Sequence, residues 1–189
     1  METEKMISSI NRIAWSSIFL FLDVNINGVS LLPAFAGYLM ILSAIDGLAP
    51  RIREITLLKP LATMLAFWYG LIWILSFAGV QLENFLSVVS LLMTVVSVYF
   101  YFQLMSDIAL IAKEVQTEGT ETDRRILKWR NVQLILTTAS SMFVYFTGVG
   151  PLSGVLGVIA IFIVLGMVIS CIGIILALFE LRNQIKNES

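Results

Sequence analysis

The sequence predicts an all-α membrane protein, a bundle of six transmembrane helices that forms a single domain over residues 1–189. Two properties point to this fold class. First, 58% of the residues are hydrophobic and only 13% are charged, whereas a soluble domain averages about 25% charged residues. Because this small number of charges cannot cover a water-exposed surface, most of the chain must face lipid. Second, the apolar segments are long continuous runs, a pattern that forms helices and not a β-barrel in lipid.

Turn residues and prolines divide the chain into six predicted spans. Span 1 is short, because Asn11 and Arg12 interrupt its first half. Span 2 has Pro33 in its first turn, where a missing N–H costs nothing, and span 3 begins after Pro60. The predicted spans are 6–22, 30–49, 61–80, 86–112, 132–149 and 152–181.

The positions of the basic residues predict the orientation. All 12 lysines and arginines lie in the N-terminal segment, the 50–60 loop, the 113–131 loop or the C-terminal tail. These regions share one side of the membrane if the chain crosses six times, and the three connections on the other side carry none. The positive-inside rule then puts both termini in the cytoplasm. A re-entrant hairpin in place of spans 1 and 2 would preserve this asymmetry, so that alternative stays open.

Stripes of small or hydroxyl-bearing residues mark the helix faces that are predicted to pack. In span 6 the stripe recurs at spacings of four, three and four residues, and in span 4 at three, four and three. Small residues let helix backbones approach closely in lipid, and hydroxyls bond neighbouring helices. The pattern predicts a compact bundle, with a solute path or self-association into homo-oligomers as alternative uses of the same faces. The stripes are Gly166, Ser170, Gly173 and Ala177 in span 6, and Ser87, Ser90, Thr94 and Ser97 in span 4.

The 113–131 loop ends in a basic segment that is predicted to lie at the cytoplasmic face. Thr122 or Asp123 is placed to cap a helix that continues into span 5. The basic side chains would then contact the anionic headgroups of the lipid bilayer, and a docking surface for a protein partner is the alternative. Nothing in the sequence predicts binding to nucleic acid. The basic residues are Arg124, Arg125, Lys128 and Arg130.

Two acidic residues lie inside predicted spans and are therefore candidates for function, because charges at membrane depth are costly. Asp46 is near the cytoplasmic end of span 2. Asp107 is near the cytoplasmic end of span 4, one turn after Gln103 on the same helix face. Each carboxylate could pair with a loop arginine at the interface. Alternatively, the two could form one site within the membrane, since both are predicted at similar depth.

On the opposite side, Asp23, Asn25 and Asn27 alternate just before Gly28. Their oxygens could bind a cation or a polar solute, although three are too few for a closed calcium site. The alternative is a turn stabilised by Asx hydrogen bonds. Two tryptophans, Trp68 and Trp73, lie within span 3 and are predicted either to fill the bundle core or to form an aromatic wall for an organic solute.

The composition leaves little room for an enzyme. The chain has no histidine and a single cysteine, Cys171, so serine–histidine hydrolysis, a His-Glu-x-x-His zinc site and a disulfide are excluded. No phosphate-binding glycine loop occurs, and the Gly-x-Gly-Asp motif of intramembrane aspartyl proteases is absent. We therefore predict no catalytic residue, no cofactor and no metal, and keep an intramembrane enzyme only as a distant alternative.

The N-terminal region carries a resemblance to known sequences. Asp-Val-Asn-Ile-Asn-Gly at 23–28, followed by Leu-Pro-x-x-x-Gly-Tyr at 32–38, resembles the signature of uncharacterised small polytopic membrane proteins of Gram-positive bacteria. This resemblance covers roughly residues 10–48 and implies a bacterial plasma membrane, without an activity. In size, span count and orientation the chain is also similar to the S components of energy-coupling-factor vitamin transporters. Those proteins have an alanine-rich motif where span 1 has Ile-Ala-Trp-Ser-Ser at 13–17.

Two functional classes follow from these observations. The first is a non-enzymatic membrane component that binds a partner protein or lipid through its helix seams and basic loop. The second is a component that binds or transports a small solute, using the Asp23–Asn27 turn, the two tryptophans of span 3, and Asp46 or Asp107.

Overall fold

The computed structural model describes residues 2–22, 25–26, 29–78, 86–116, 119–147 and 154–188. Over these ranges the chain forms six α-helices, as the sequence predicts, together with one short β-hairpin and one 3-10 helix. The hairpin consists of β1 (Asn25–Ile26) and β2 (Val29–Ser30), and the 3-10 helix is Arg53–Leu58. The helices are α1 (Glu2–Phe21), α2 (Ala34–Leu48), α3 (Lys59–Phe77), α4 (Leu86–Val115), α5 (Thr122–Thr147) and α6 (Gly154–Glu188).

Three helical segments are long and apolar enough to cross a membrane by length and composition: Arg53–Phe77, Val88–Val115 and Gly154–Asn187. The helix α2 is equally apolar but has only 15 residues. The other two helices are more polar, because α1 carries Arg12 near its middle and α5 carries amides and hydroxyls throughout. Large apolar side chains such as Phe67, Phe146 and Phe162 are at least 70% exposed, which is typical of a lipid-facing surface and rare on a soluble monomer.

The helices pack in the order α3–α2–α1–α6–α5–α4, with extensive contacts between each pair of neighbours. The ring is weakest between α4 and α3, which make only a few contacts. Consecutive helices run in opposite directions, since the start of α1 lies against the end of α2 and the start of α5 lies against the end of α6. We call the end with the β-hairpin the hairpin half, and the opposite end the basic half.

Glycine allows α1 and α2 to approach closely. A Cβ added at Gly47 would overlap the Ser9 hydroxyl and lie 2.9 Å from the Lys5 carbonyl oxygen, and one at Gly37 would lie 3.0 Å from Leu20. The helices α1 and α6 also meet, because the buried Cys171 thiol donates to the Ser17 carbonyl oxygen at 3.6 Å. The two outer helices of the sequence are therefore adjacent in space.

Burial is unequal between the two halves. Among the described residues, α3 has no buried side chain after Ala66, α4 has none before Phe100, α5 has none after Gln133 and α6 has none before Ser170. All four boundaries fall near the middle of the bundle. The apolar core therefore fills the basic half, and in the hairpin half the last part of α3, the first parts of α4 and α6, and the last part of α5 surround a less filled interior.

Candidate functional site

The polar turn that the sequence singled out lies mostly outside the described residues. Asp23 and Asn27 are among the positions that are not described, and of Asn25 only the backbone is, paired with Ser30 in the β-hairpin. The role of the Asp23–Asn27 turn in binding a cation or a solute stays a prediction.

The two candidate aspartates of the basic half lie in different surroundings. Asp46 is exposed and forms an ion pair with Lys59. Asp107 is only 3% exposed, and its Oδ1 accepts a hydrogen bond from Gln103 Nε2 at 2.8 Å. Its Oδ2 is buried without a hydrogen-bond partner among the described residues. No hydrogen bond joins the two carboxyl groups in the described ranges, so the geometry offers no acid–base pair.

The small-residue stripe of α6 packs against α5. Gly166 faces Leu136, since an added Cβ would lie 3.1 Å from that side chain, and Gly173 faces the indole ring of Trp129. Between these two glycines, the Ser170 hydroxyl is hydrogen-bonded to Gln133. Ala177, one turn further, is buried as well. These contacts all lie within the chain.

The four basic side chains predicted at the cytoplasmic face extend from α5 itself, because this helix begins at Thr122. Most of them have partners within the chain. Arg124 pairs with Glu121, and Arg125 pairs with Glu180 of α6, both at 2.7 Å. Arg130 is buried: it donates to the Ser106 hydroxyl at 2.6 Å, and its guanidinium lies 4.0 Å from the centroid of Phe102. Lys128 is exposed, with its ammonium 5.8 Å from the Trp129 ring centroid.

The start of α5 differs from the predicted cap. The Thr122 hydroxyl donates to Glu180 Oε1 at 3.2 Å and accepts from Gln184 Nε2 at 2.9 Å. It therefore ties α5 to α6, while the side-chain oxygen of Gln116 accepts from the amide of Asp123 at 3.4 Å. Contact with the neighbouring helix has replaced local capping, because Thr122 is fully buried against α6.

The interior of the hairpin half contains a cavity of about 190 Å³. It lies between the end of α1, the starts of α2 and α4, the middle of α3, the second half of α5 and one residue of α6. Seven of its lining residues carry a hydroxyl group, and no lining residue among those described is charged. The hydroxyl residues are Tyr38, Tyr69, Thr94, Ser97, Tyr101, Thr137 and Ser141, and the apolar ones are Leu20, Phe21, Ala34, Val98, Leu134 and Met167.

The cavity hydroxyls are only partly satisfied by each other. Ser97 lies beside the hydroxyls of both Tyr38 and Tyr69, whose rings stack at a centroid distance of 5.5 Å. The buried Tyr101 hydroxyl lies beside the Ser17 hydroxyl but forms no well-formed hydrogen bond among the described residues, and neither does the Thr137 hydroxyl. Buried polar groups in proteins are nearly always hydrogen-bonded, so two unpaired hydroxyls at one cavity suggest an occupant, either water or a ligand.

The two tryptophans predicted as an aromatic wall are both partly buried, and Trp73 borders a cavity. Trp73 donates its indole N–H to the Ser30 carbonyl oxygen at 3.0 Å and packs against Phe35 at a centroid distance of 5.6 Å. It lines a second cavity of about 320 Å³ beneath the β-hairpin. Leu20, Ala34 and Tyr69 line both cavities, so the second cavity adjoins the hydroxyl-lined cavity on the side of the hairpin.

Sequence reasoning identified part of this site, and the span 4 hydroxyls do contact a neighbouring helix, at Tyr69 of α3. Thr94 and Ser97 belong to the stripe that was predicted as a packing seam in span 4. The pair Thr137 and Ser141, four residues apart in α5, is the same signal, and it was overlooked. The three tyrosines came from three different helices, and nothing in the sequence links them.

The described ranges hold no group of three His, Cys, Asp or Glu side chains that could bind a metal ion. Comparison of the chain with protein-family models, with curated proteins and with solved structures finds no match.

Proposed function

We propose that this protein crosses the bacterial plasma membrane six times, with both termini in the cytoplasm, and binds a small uncharged molecule in the hydroxyl-lined cavity. Three helices are long and apolar enough to span, and α1, α2 and α5 pack between them. No lysine or arginine occurs at 13–50, 60–112 or 131–181, so every basic residue lies towards the basic half. The positive-inside rule then favours a cytoplasmic basic half.

In this arrangement, spans 1 and 2 reach less far across the bilayer than the long apolar helices do. The 15 residues of α2 extend about 22 Å, less than the roughly 30 Å of a hydrocarbon core. Near the middle of α1, Arg12 donates to the Ser43 hydroxyl at 3.2 Å, and this contact holds its charge against α2. The β-hairpin then lies within the outer interface, close to the opening beneath it.

The cavity is the observation that carries the functional proposal. It is hydroxyl-lined and free of charged lining residues among those described, and two of its hydroxyls lack a well-formed hydrogen bond. An ion would find no counter-charge there, and burying an unpaired charge is very costly. A neutral molecule with a few hydrogen-bonding groups would satisfy the unpaired hydroxyls and also contact the apolar lining. This supports the solute-binding class that the sequence offered as its second alternative.

The size of the cavity limits the ligand. At about 190 Å³ it slightly exceeds the roughly 150 Å³ of an engineered apolar cavity that binds benzene. With the adjoining cavity beneath the hairpin, of about 320 Å³, it reaches the range of roughly 300–1,000 Å³ that is typical of ligand pockets. The site therefore fits a compact organic molecule, and a larger one would extend towards the hairpin.

The first class, a component that binds a partner protein or lipid through its seams, has less support. The stripe on α6 and three of the four basic side chains make contacts within the chain. Lys128 and Arg124 are exposed at the basic end, and we expect them to lie near anionic headgroups.

The test is native mass spectrometry of the protein released from mild detergent, comparing Tyr101→Phe with Tyr99→Phe. Both changes remove one phenolic hydroxyl, but Tyr101 lines the cavity and Tyr99 is 57% exposed on the outer face of α4. We expect the unmodified protein and Tyr99→Phe to retain the same small neutral molecule, and Tyr101→Phe to lose most of it. Retention of no small molecule by any of the three, or of a charged one equally by all, would reject the proposal.

A further inference from the structure

A groove on the outer surface leads into the hydroxyl-lined cavity from the side. It lies between the first part of α4 and the second part of α5, has a volume of about 440 Å³, and shares Thr94, Val98 and Ser141 with the cavity. Its outer walls are apolar and exposed: Val95 is 60% exposed and Phe146 is 78% exposed. In a protein that spans the membrane, this surface faces the hydrocarbon of the bilayer and not water.

We infer that the ligand is a neutral amphiphile, whose hydroxyl-bearing head occupies the cavity and whose hydrocarbon chain lies in the groove between α4 and α5. This inference rests on the proposed function, and it adds the class of ligand and the route of entry. Because the groove opens to the bilayer, the ligand reaches the cavity sideways from the membrane.

The hydrogen-bonding state of the shared residues supports a hydroxyl-bearing head. The Thr94 hydroxyl donates to the Ser90 carbonyl oxygen at 2.9 Å, and the Ser141 hydroxyl donates to the Thr137 carbonyl oxygen at 3.0 Å. Each of these hydroxyls has used its one proton and keeps only acceptor capacity, which at Thr94 is shared between a ligand and the adjacent Tyr69 hydroxyl. A ligand that donates a hydrogen bond therefore fits the inner end of the groove, and the unpaired hydroxyls of Tyr101 and Thr137 can donate to it in return.

The same lining argues against an ordinary phospholipid as the specific occupant. A phosphate headgroup would need a cationic partner, and none of the described residues that line the cavity or the groove is charged. The tail of a phospholipid could occupy the groove alone, but its head would stay outside the cavity. The position of the head therefore distinguishes the two occupants.

Photo-crosslinking tests this inference in nanodiscs of phosphatidylcholine. The probe is a monoacylglycerol of medium chain length with a diazirine in the middle of its chain, and the control probe is the matching alkane without the glycerol. We expect the first probe to label residues 91–98 and 138–146, with competition by unlabelled monoacylglycerol. The alkane should label the lipid-facing surface of α3, α4 and α6 without preference.

Three variants locate the junction between groove and cavity. Ser141→Phe should block it and abolish the preferential labelling, while Ile135→Phe, which is on the lipid-facing side of the same helix and 68% exposed, should leave it unchanged. Thr94→Val keeps the side-chain shape and removes one acceptor. It should reduce labelling about fivefold, the effect of one hydrogen bond, and it provides the same test if Ser141→Phe fails to fold.

The outcomes separate this inference from the proposed function. Even labelling of the outer surface, or groove labelling that Ser141→Phe and Thr94→Val leave intact, would overturn the amphiphile. If a small molecule is still retained in a manner sensitive to Tyr101→Phe, the proposed function stands. If retention of the small molecule does not depend on Tyr101, both the amphiphile and the proposed function are overturned.

Discussion

The basic half and the hairpin half are built from the same six helices, but they fill their interiors differently. The inner face of α4 shows the change most clearly. Residues at spacings of three and four begin with Thr94 and Ser97, pass through Tyr101, and continue with Leu104 and Ile108. The hydroxyl residues line the cavity, whereas Leu104 and Ile108 are fully buried in the apolar core. One helix face therefore builds a packed core in one half and a polar cavity in the other.

This difference suggests that the two halves have different roles. In the basic half, side chains of all six helices and the 3-10 helix interdigitate, as is typical of the segment that specifies a fold. In the hairpin half, α1 and α2 stay tightly joined at Gly37, while α4 makes few contacts with α3. Stability is therefore expected to depend mainly on the basic half, and binding on the hairpin half.

The sharpest test of this difference in roles replaces one aliphatic side chain in each half. Leu104→Ala removes a fully buried side chain, and we expect it to lower the free energy of unfolding by about 2–5 kcal/mol. Val95→Ala, on the exposed wall of the groove, should change it by less than about 0.5 kcal/mol. Reversible unfolding in mixed micelles measures both. Equal costs would mean that the hairpin half is packed as tightly as the basic half.

A second comparison uses two glycines. In Gly47→Ala, the new methyl group meets the carbonyl oxygen of Lys5, which cannot move away easily, so we expect a loss of about 1–3 kcal/mol. In Gly70→Ala, the methyl group would lie 3.7 Å from Phe35, an ordinary contact. That change should be neutral or stabilise the helix by up to about 1 kcal/mol. A shift of the melting temperature in the same direction for both variants would contradict the comparison.

The smallest expected effect concerns hydroxyl groups. Ser170→Ala, in the basic half, leaves the buried Gln133 without its partner, which should cost about 1–3 kcal/mol. Thr137→Val removes a hydroxyl that has no partner, so without ligand we expect no loss, or a gain of less than about 1 kcal/mol. Thermal unfolding of the ligand-free protein measures the difference. A clear loss of stability in Thr137→Val would show that its hydroxyl is satisfied.

The sequence predicted the positions of the helices better than it predicted which of their residues form the candidate site. Hydropathy predicted six helices, which are observed, and span 4 at 86–112 matches α4 closely at Leu86–Val115. Hydropathy alone did not include the first ten residues of α5, because Thr122–Asn131 is polar, but the expected helix start at Thr122 or Asp123 did include them, and α5 begins at Thr122. The small residues of span 6 do lie against a neighbouring helix, since close approach requires them.

The site could not be predicted in the same way, because it depends on how six helices are rotated against each other. Asp46 and Asp107 both lie in the basic half, but Asp46 faces Lys59 at the surface and Asp107 faces the interior. Likewise, Tyr38 and Tyr69 meet only because α2 and α3 pack with these faces together. Spacing along a helix identifies a face, but the partner of that face is set by tertiary packing.

The contact between α1 and α6 has a consequence for biosynthesis. The carbonyl oxygen of Ser17 and the surrounding face of α1 are covered by α6 at Cys171, yet α6 is the sixth helix to leave the ribosome. Until α6 is synthesised, α1 and α2 can pair, but one face of α1 stays uncovered. Closure of the ring, and with it the completed cavity, must therefore be a late event in folding, after all the other helices have been made.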